Sequence, residues 1–325
     1  MSAVCILRLS AIGDTCHVVP VLRTLQQARP DTKFTWVIGR VEARLMSLLP
    51  DIEFIVIDKR GADKRSAALQ LREQLRGRRF DVLLHMQLAL RASLLAARIP
   101  ARRKIGFDRA RARELQWLFT NERIAPRQRE HVLDSLFGFT EALGITERVL
   151  RWDIPLPGGA QDYARRLIPD GTPTLVVSPC SSHAARNWLE DRYAAVIRHA
   201  AQHHALKVIL CGGHSPAEVA MGAAIERAAG VELVNQIGKD TLPELLALLA
   251  RASVLLAPDS GPVHMATMVG TPVLGLYAAT NPQRSGPYLS RQWCVDRYDD
   301  AARRFCGKSA EELPWTRKIE LPGVM

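Results

Sequence analysis

Residues 4–14 read VCILRLSAIGD, and this stretch decides the fold class. The apolar run from Val4 to Leu9 is typical of a strand buried on both faces. The turn Ser10–Asp14 leads from it into a helical pattern that continues to about Ala28. Because a strand, a tight turn and a helix in this order begin a βαβ unit, the stretch predicts an α/β protein with a parallel sheet.

The same alternation of short apolar runs and helical patterns continues through the rest of the chain. Prolines and glycines interrupt it between residues 150 and 173, which predicts a linker between two doubly wound, Rossmann-like domains. We place the first domain at 1–155, the linker region at 156–172 and the second domain at 173–325, with a C-terminal helix available to return to the first. Ligands of such folds bind at the carboxyl ends of the strands, so the residues that follow each strand are of most interest.

Positive charge is concentrated in the first half of the chain. Of the 325 residues, 44 are Lys or Arg and 33 are Asp or Glu, which gives a formal net charge of +11. Residues 1–150 carry +10 of this charge and the remainder carries +1. Such asymmetry indicates an anionic partner, which could be nucleic acid, a membrane surface or a phosphorylated substrate. A charge that serves only solubility is the alternative.

Cysteine usage and hydropathy predict a cytoplasmic protein. The six cysteines form no C-x-x-C pair and no metal-ligand spacing, which is typical of a reducing compartment. The first residues lack a basic segment followed by a long apolar one, so we expect no secretory signal. The longest apolar stretch, 245–258, is interrupted by Arg251 and is too short to span a bilayer.

Asp14 is the first candidate for chemistry. Gly13 permits the tight turn after the first strand, and Asp14 stands at the opening of the helix. A carboxylate there can cap the helix, or it can act as a general base on a bound hydroxyl group. The residues alone leave both interpretations open.

A phosphate site is predicted by the segment 258–266, PDSGPVHMA. Asp259 or Ser260 can cap the helix that follows, and a proline suits its first turn. The N–H groups of Ser260 and Gly261 would then point at the strand end, where a phosphate binds well. His264, one turn later, touches the same phosphate or is a partly buried imidazole.

The segment 178–188, SPCSSHAARNW, also follows a predicted strand. Its two adjacent hydroxyl groups and the guanidinium four residues later are good donors to phosphate. A polar loop without a special function is the alternative.

Several motifs are absent from the sequence, and each absence excludes a class of enzyme. The chain has no G-x-x-x-x-G-K-[ST], no G-x-G-x-x-G after a strand and no G-x-S-x-G. We therefore expect neither a P-loop NTPase, nor a dinucleotide-dependent dehydrogenase, nor an α/β-hydrolase. An Asp-x-Asp pair that would hold a divalent ion is missing as well, so Arg, Lys and helix dipoles must neutralise phosphate charge.

Together, these segments resemble those of the bacterial heptosyltransferases, a family of glycosyltransferases. Ile6–Asp14, Ser181–Trp188 and Asp259–His264 occur in the order and spacing of the family. The resemblance implies a GT-B fold, in which two Rossmann-like domains face each other across a cleft. It also implies inverting transfer of heptose from ADP-heptose to the Kdo sugar of lipid A, with no metal ion and no cofactor.

The resemblance further implies roles for individual residues. Asp14 would deprotonate the acceptor hydroxyl group, and Glu218, shortly after Gly212-Gly213, would bind the ribose. Arg186 stands where many members of the family have Lys, and its bidentate contact differs from that of a point charge. The implied donor-binding residues are Ser181, Ser182, Arg186, Glu218, Asp259, Ser260, Gly261 and His264.

The basic first half would serve the acceptor. Residues 51–113 carry a net charge of +9, enough to attract the acceptor's phosphates and carboxylates and the anionic inner membrane, on whose cytoplasmic face the enzyme would be peripheral. A solvated charged face is the alternative for residues 72–79. Lys59, Arg60 and Trp36–Gly39 most resemble the branch of the family that adds the first heptose. The candidate acceptor-binding residues are Ser10, Gly13, Lys59, Arg60, Lys64, Arg65, Arg102 and Arg103.

Other functions compete with this interpretation. A nucleic-acid-binding module would suit the isoelectric point of about 9.8, but we expect no nucleic acid because the sequence has no recognised binding motif and its basic residues are not interleaved with aromatic ones. A sugar-nucleotide enzyme that transfers nothing, such as an epimerase or a hydrolase, is a second alternative. A heptosyltransferase that acts later is a third, because acceptor choice depends on variable loops.

Overall fold

The computed structural model describes residues 1–58 and 64–325, with the backbone alone for 64–67. The chain forms two units, Met1–Pro155 and Leu156–Met325. Each unit contains a six-stranded sheet in which every neighbouring pair of strands is parallel. The prediction of an α/β protein with two doubly wound sheets is confirmed.

In the first unit, the strands are β1 (Ala3–Leu7), β2 (Lys33–Gly39), β3 (Ile52–Ile57), β4 (Phe80–His85), β5 (Ala101–Gly106) and β6 (Glu122–Arg123). Its helices are α1 (Ile12–Ala28), α2 (Arg40–Met46), α3 (Lys64–Gln74), α4 (Leu90–Ala96) and α5 (Val132–Glu141). The strands stand in the order β3-β2-β1-β4-β5-β6, so β1 to β3 extend the sheet to one side and β4 to β6 extend it to the other.

In the second unit, the strands are β7 (Thr174–Val177), β8 (Lys207–Leu210), β9 (Val234–Asn235), β10 (Val254–Pro258), β11 (Val273–Tyr277) and β12 (Val295–Asp296). Its helices are α6 (Gly158–Leu167), α7 (Glu190–His204), α8 (Pro216–Ala229), α9 (Leu242–Arg251), α10 (Gly261–Met268), α11 (Pro282–Ser285) and α12 (Tyr298–Cys306). The order β12-β11-β10-β7-β8-β9 repeats that of the first unit, with β7 in the place of β1.

The central strand β1 explains why the opening stretch is apolar. Val4, Cys5, Ile6 and Leu7 are fully buried, because helices cover both faces of a parallel sheet. One core cluster joins Cys5 and Leu7 to the neighbouring strands and to the apolar faces of α3 and α4. The first charged residues, Arg8 and Asp14, come after the carboxyl end of β1.

Two helices of the first unit have no sequence-based prediction. Helix α5 begins at an uncommon cap, where the Nδ1 atom of His131 accepts a hydrogen bond from the N–H group of Leu133 over 3.1 Å. Helix α2 follows β2 directly, and no side chain caps it. Neither helix therefore has the Ser, Thr, Asp or Asn that marks a helix start in a sequence.

The residues predicted as a linker, 156–172, belong to the second unit. Helix α6 lies within them, and its Ala160 and Ala164 are buried against Ala247 of α9. The small side chains on both helices allow this close approach. The prolines and glycines around α6 give no indication in the sequence that it packs on α9. The predicted C-terminal helix is α12, whose buried face packs on Ala278 and Ile319 of the second unit.

A correction to the predicted elements concerns the basic residues near position 100. The sequence predicts a strand at 104–107, with Arg102 and Arg103 before it, whereas both arginines lie inside β5. The charged first half of this strand hides it from a search for apolar runs. Among the helices of the described ranges, none is both long enough and apolar enough to cross a bilayer.

We predict that Trp36→Phe destabilises the first unit. Trp36 is fully buried, and its indole N–H donates to the carbonyl oxygen of Arg8 over 3.1 Å. Phenylalanine would leave that buried carbonyl without its donor, which should lower the free energy of unfolding by about 1–3 kcal/mol. Urea unfolding followed by circular dichroism measures the effect. Trp293→Phe, at a side chain that is 46% exposed, is the control, and equal effects of the two substitutions would contradict the prediction.

Candidate functional site

The loop after β1 is fixed by backbone contacts with two neighbouring strands. The N–H group of Arg8 donates to the carbonyl of Val37, and that of Met86 donates to the carbonyl of Leu7. The N–H groups of Leu9 and Ser10 both donate to the side-chain oxygen of Gln87, over 3.0 and 3.3 Å. The Ser10–Ala11 peptide bond in this loop is cis. These contacts set the position at which the chain enters α1.

Asp14 is the third residue of α1, and its carboxylate contacts two groups of the loop before the helix. Its carboxylate accepts a hydrogen bond from the N–H group of Ala11 over 3.1 Å. The same oxygen forms an ion pair with Arg8, whose side chain is only 10% exposed, whereas that of Asp14 is 35% exposed. The N-cap residue of α1 is Ala11 and not Asp14, so the prediction of an N-cap at Asp14 is wrong: Asp14 binds the N–H group of Ala11 from the third position of the helix. Its exposure also leaves the carboxylate accessible to a hydroxyl group, so the role of general base stays a prediction.

Two buried side chains near this loop were not predicted from the sequence. The side-chain N–H groups of Gln116 donate to the carbonyls of His85 and Gln87, over 2.9 and 3.0 Å, and its oxygen accepts from the N–H group of Phe107. Gln116 thereby joins the carboxyl ends of β4 and β5. No motif announces it, because its partners are backbone groups 9 to 31 residues away.

His85, the last residue of β4, is the other buried side chain. It is fully buried and its Nε2 atom lies 3.0 Å from the hydroxyl oxygen of Ser93. Burial, reinforced by the positive charges of Lys104 and Arg8, lowers the pKa of His85 to about 3. The imidazole is therefore neutral at physiological pH, and Arg8 supplies the positive charge beside Asp14.

The predicted acceptor-binding residues have different fates in the structure. Arg103 is engaged within its own unit, since its guanidinium donates to both oxygens of Glu122 over 2.7 Å and to the carbonyl of Ala142. Arg102 is exposed on β5. Ser10 and Gly13 lie in the loop that carries Asp14. Outside the described residues, or described by backbone alone, are Lys59, Arg60, Lys64 and Arg65.

In the second unit, the loop after β7 holds Arg186 between two carboxylates. The Nη1 atom of Arg186 donates to Oδ2 of Asp259 over 3.3 Å, and its Nε atom donates to Oε1 of Glu320 over 2.8 Å. The Nη2 atom donates to that same oxygen of Glu320. The side chains of Arg186 and Asp259 are each 12% exposed, so this is a largely desolvated cluster. Two of the predicted donor-binding residues are thus brought together.

Glu320 has no signal in the sequence, because it lies 134 residues from Arg186. Burial alone would raise the pKa of this carboxyl group, but the hydrogen bonds and charge of Arg186 lower it below its usual value. Oε2 of Glu320 also lies 3.8 Å from Nε2 of His183, in the same loop as Arg186. In that loop the Oγ atom of Ser181 accepts from the N–H group of His183, and Ser182 is exposed.

The start of α10 lies two residues after Asp259. Ser260 is the residue before the helix, and no side chain in the described part of the chain caps it. The Ser260 hydroxyl is buried, and the described residues offer it no hydrogen-bond partner. The first N–H groups of a helix attract anions, and the guanidinium of Arg186 reaches Asp259, the residue before Ser260, so this helix start is a candidate site for phosphate. Gly261 opens the helix, and His264, one turn later, is buried.

Glu218 is the third residue of helix α8, which Ser215 caps by accepting a hydrogen bond from the N–H group of Glu218. Its carboxylate accepts from the N–H group of Gly213 over 3.0 Å and from the hydroxyl of Ser215 over 2.6 Å. A Cβ atom at Gly213 would lie 2.7 Å from that carboxylate, so a larger residue there would displace the Glu218 side chain. The predicted contact of Glu218 with a ribose stays a prediction. Among the described residues, no group of three His, Cys, Asp or Glu side chains is placed to hold a metal ion.

Comparison with known proteins places these sites in context. The model of glycosyltransferase family 9 (heptosyltransferase) matches residues 68–312. The lipopolysaccharide core heptosyltransferase OpsX of Haemophilus influenzae is 40% identical over 99% of this chain and 92% of its own length. A family 9 glycosyltransferase of Veillonella parvula superposes with a TM-score of 0.80 at 22% identity over 98% of this chain and 93% of that one. For the Escherichia coli heptosyltransferase WaaC with ADP, the TM-score is 0.75 at 24% identity, over 90% and 92%.

Proposed function

Because this chain belongs to glycosyltransferase family 9, the heptosyltransferases, we propose that it transfers heptose from ADP-heptose to the Kdo sugar of lipid A. It is a heptosyltransferase of the lipopolysaccharide core with the GT-B fold. The proposal adds the donor, the acceptor, inversion at the anomeric carbon and independence from metal ions. It places the enzyme on the cytoplasmic face of the inner membrane.

The observation that carries the donor assignment is the position of Arg186 beside the start of α10. The guanidinium reaches Asp259, the residue immediately before the Ser260 cap. A diphosphate there would accept hydrogen bonds from the guanidinium, the buried Ser260 hydroxyl and the first N–H groups of the helix. We further propose that Glu218, at the start of α8, binds the ribose and that Asp259 binds the heptose, as the resemblance to the family implies.

The reaction is a single displacement. The acceptor oxygen bonds to the anomeric carbon of heptose while the bond from that carbon to the diphosphate oxygen breaks, and the configuration inverts. Negative charge grows on the departing ADP, where Arg186 and the dipole of α10 stabilise it without reorganisation. These groups do the work that a divalent ion does in other sugar-nucleotide enzymes.

Asp14 accepts the proton of the acceptor hydroxyl group. Arg8 holds the carboxylate in place from one side and the N–H group of Ala11 from another. The two contacts fix the position of the carboxylate, from which it can accept the proton of a bound hydroxyl group. The acceptor's own negative charge suits the +9 carried by residues 51–113.

We predict that the enzyme releases ADP from ADP-heptose only when lipopolysaccharide lacking heptose is present. Release should persist in EDTA, since no step uses a metal ion. A coupled assay for ADP, with mass analysis of the glycolipid, measures both. Release without acceptor would indicate a sugar-nucleotide hydrolase, and a preference for an acceptor that already carries heptose would indicate a later step. Loss of activity in EDTA would contradict metal independence.

We predict that Asp14→Asn lowers kcat by roughly 100-fold to 10,000-fold, the range expected for removal of a general base. The amide can still accept the hydrogen bond of Ala11, so the start of α1 should persist. The Kd for ADP, measured by calorimetry, should stay within about twofold, because Asp14 binds no part of the donor. Asp31→Asn, at an exposed position of the same unit, is the control. Parallel loss of ADP binding would overturn the assignment.

A leucine surface supports the proposed membrane contact. It consists of Leu90 and Leu94 on α4 and Leu115 and Leu118 after β5, which are 40–67% exposed. The N–H group of Leu90 donates to the Glu114 carboxylate, so the two segments are neighbours. Both follow the carboxyl ends of their strands, the edge at which Asp14 lies. Arg91 and Arg113, which are exposed, lie close to these leucines in the sequence, and such a combination suits an anionic bilayer.

We predict that replacing Leu94 and Leu118 together by serine weakens binding to vesicles of phosphatidylglycerol and phosphatidylethanolamine by about tenfold, since each exposed leucine buries apolar area in the bilayer. Co-sedimentation measures the bound fraction. Leu289→Ser, at a leucine of the second unit with 48% exposure, should bind as the unaltered enzyme does. Equal binding of all three proteins would contradict the membrane assignment for this surface.

A further inference from the structure

Residues 314–325, the strap, hold Glu320 from both sides. Before it, the hydroxyl of Tyr298 donates to the carbonyl of Arg317 over 2.9 Å, and the N–H group of Ile319 donates to the carbonyl of Ala279 over 2.8 Å. Ile319 itself is 1% exposed. After it, the apolar side chains of residues 324 and 325 pack against the same core cluster. Contacts on both sides therefore fix the backbone that carries Glu320.

The contact with Arg186 uses one side of the guanidinium. Nε and Nη2 both donate to Oε1 of Glu320, whereas Nη1 donates to Asp259. An arginine has five N–H groups, so each terminal nitrogen keeps one that these contacts do not use. The described residues provide no acceptor for either of them. The guanidinium can therefore donate two further hydrogen bonds, one from each terminal nitrogen, to the oxygens of a phosphate.

We propose that Glu320 is a positioning residue for heptosyl transfer, which holds the Arg186 guanidinium so that its remaining N–H groups face the diphosphate of the donor. The inference rests on the proposed function of Arg186. A long side chain that is ordered before the donor binds loses less entropy on binding. A lysine side chain has no N–H group partway along it. The contact between the Nε–H group and Glu320 is therefore available only because residue 186 is arginine.

A competing role for Glu320 would be that of an internal anion, which occupies the place of the phosphate until the donor displaces it. The structure favours positioning for two reasons. The strap is anchored on both sides of Glu320, and the contact involves Nε rather than both terminal nitrogens. The two roles have opposite consequences for ADP affinity, because removal of a competing anion strengthens binding and removal of a support weakens it.

The test compares Glu320→Ala, Glu320→Gln and a control, Glu312→Ala, by calorimetry with ADP and by kinetics with varied ADP-heptose. Alanine should raise the Kd for ADP about tenfold and lower kcat/KM for the donor by about 10-fold to 100-fold. Glutamine should stay within about threefold of the unaltered enzyme, because its amide oxygen accepts the same hydrogen bonds. The control carboxylate accepts only from Ser309 in the described contacts and should have no effect. Thermal unfolding of Glu320→Ala should match that of the control.

A second background completes the test. In Arg186→Lys, the further change Glu320→Ala should alter kcat/KM for the donor less than about twofold, because the contact between the Nε–H group and Glu320 is already absent. Equal effects of Glu320→Ala in both backgrounds would overturn the proposal. So would unchanged or tighter ADP binding in Glu320→Ala, the latter indicating an internal anion. If the unaltered enzyme binds no ADP, the donor assignment itself fails, which distinguishes that failure from this one.

Discussion

Strands β1 and β7 lie in the middle of parallel sheets whose two faces are covered, and this burial decides where chemistry can occur. A charged side chain inside such a sheet would lose its hydration without a partner. Charges therefore collect where the strands end and the chain turns into a helix. Arg8 and Asp14 follow β1, Arg186 follows β7, and Asp259 follows β10. The parallel arrangement brings these ends to one edge of each sheet.

In each unit, a largely buried arginine neutralises the carboxylates that lie where the strands end. Arg8 neutralises Asp14, and it is fixed in turn by the carbonyl of Met86. Arg186 lies between Asp259 and Glu320. In both places the ion pair matters less for stability than for orientation, because desolvation offsets much of the attraction between buried charges. The result is a set of functional groups that are ordered before a ligand arrives.

The sequence predicts the sheets and the loops after β1, β7 and β10, because these depend on local patterns of apolar residues, glycines and caps. It also predicts Asp14, Arg186 and Asp259 as candidates, since each follows a strand. Contacts between distant residues escape prediction. Glu320 and Gln116 act through partners far along the chain, and the pairing of Arg103 with Glu122 depends on the adjacency of β5 and β6. Nothing local distinguishes these side chains from solvated ones.

The neutral imidazole of His85 has a consequence for how turnover changes with pH. Histidine is the side chain whose usual pKa lies between pH 5 and 8, but burial beside two cations lowers the pKa of His85 to about 3. His85 therefore gains no proton between pH 5 and 8. Any inflection in the activity profile near neutrality must then arise elsewhere. Burial raises the pKa of the half-buried Asp240 to about 7, so this carboxyl group is one that titrates near neutrality.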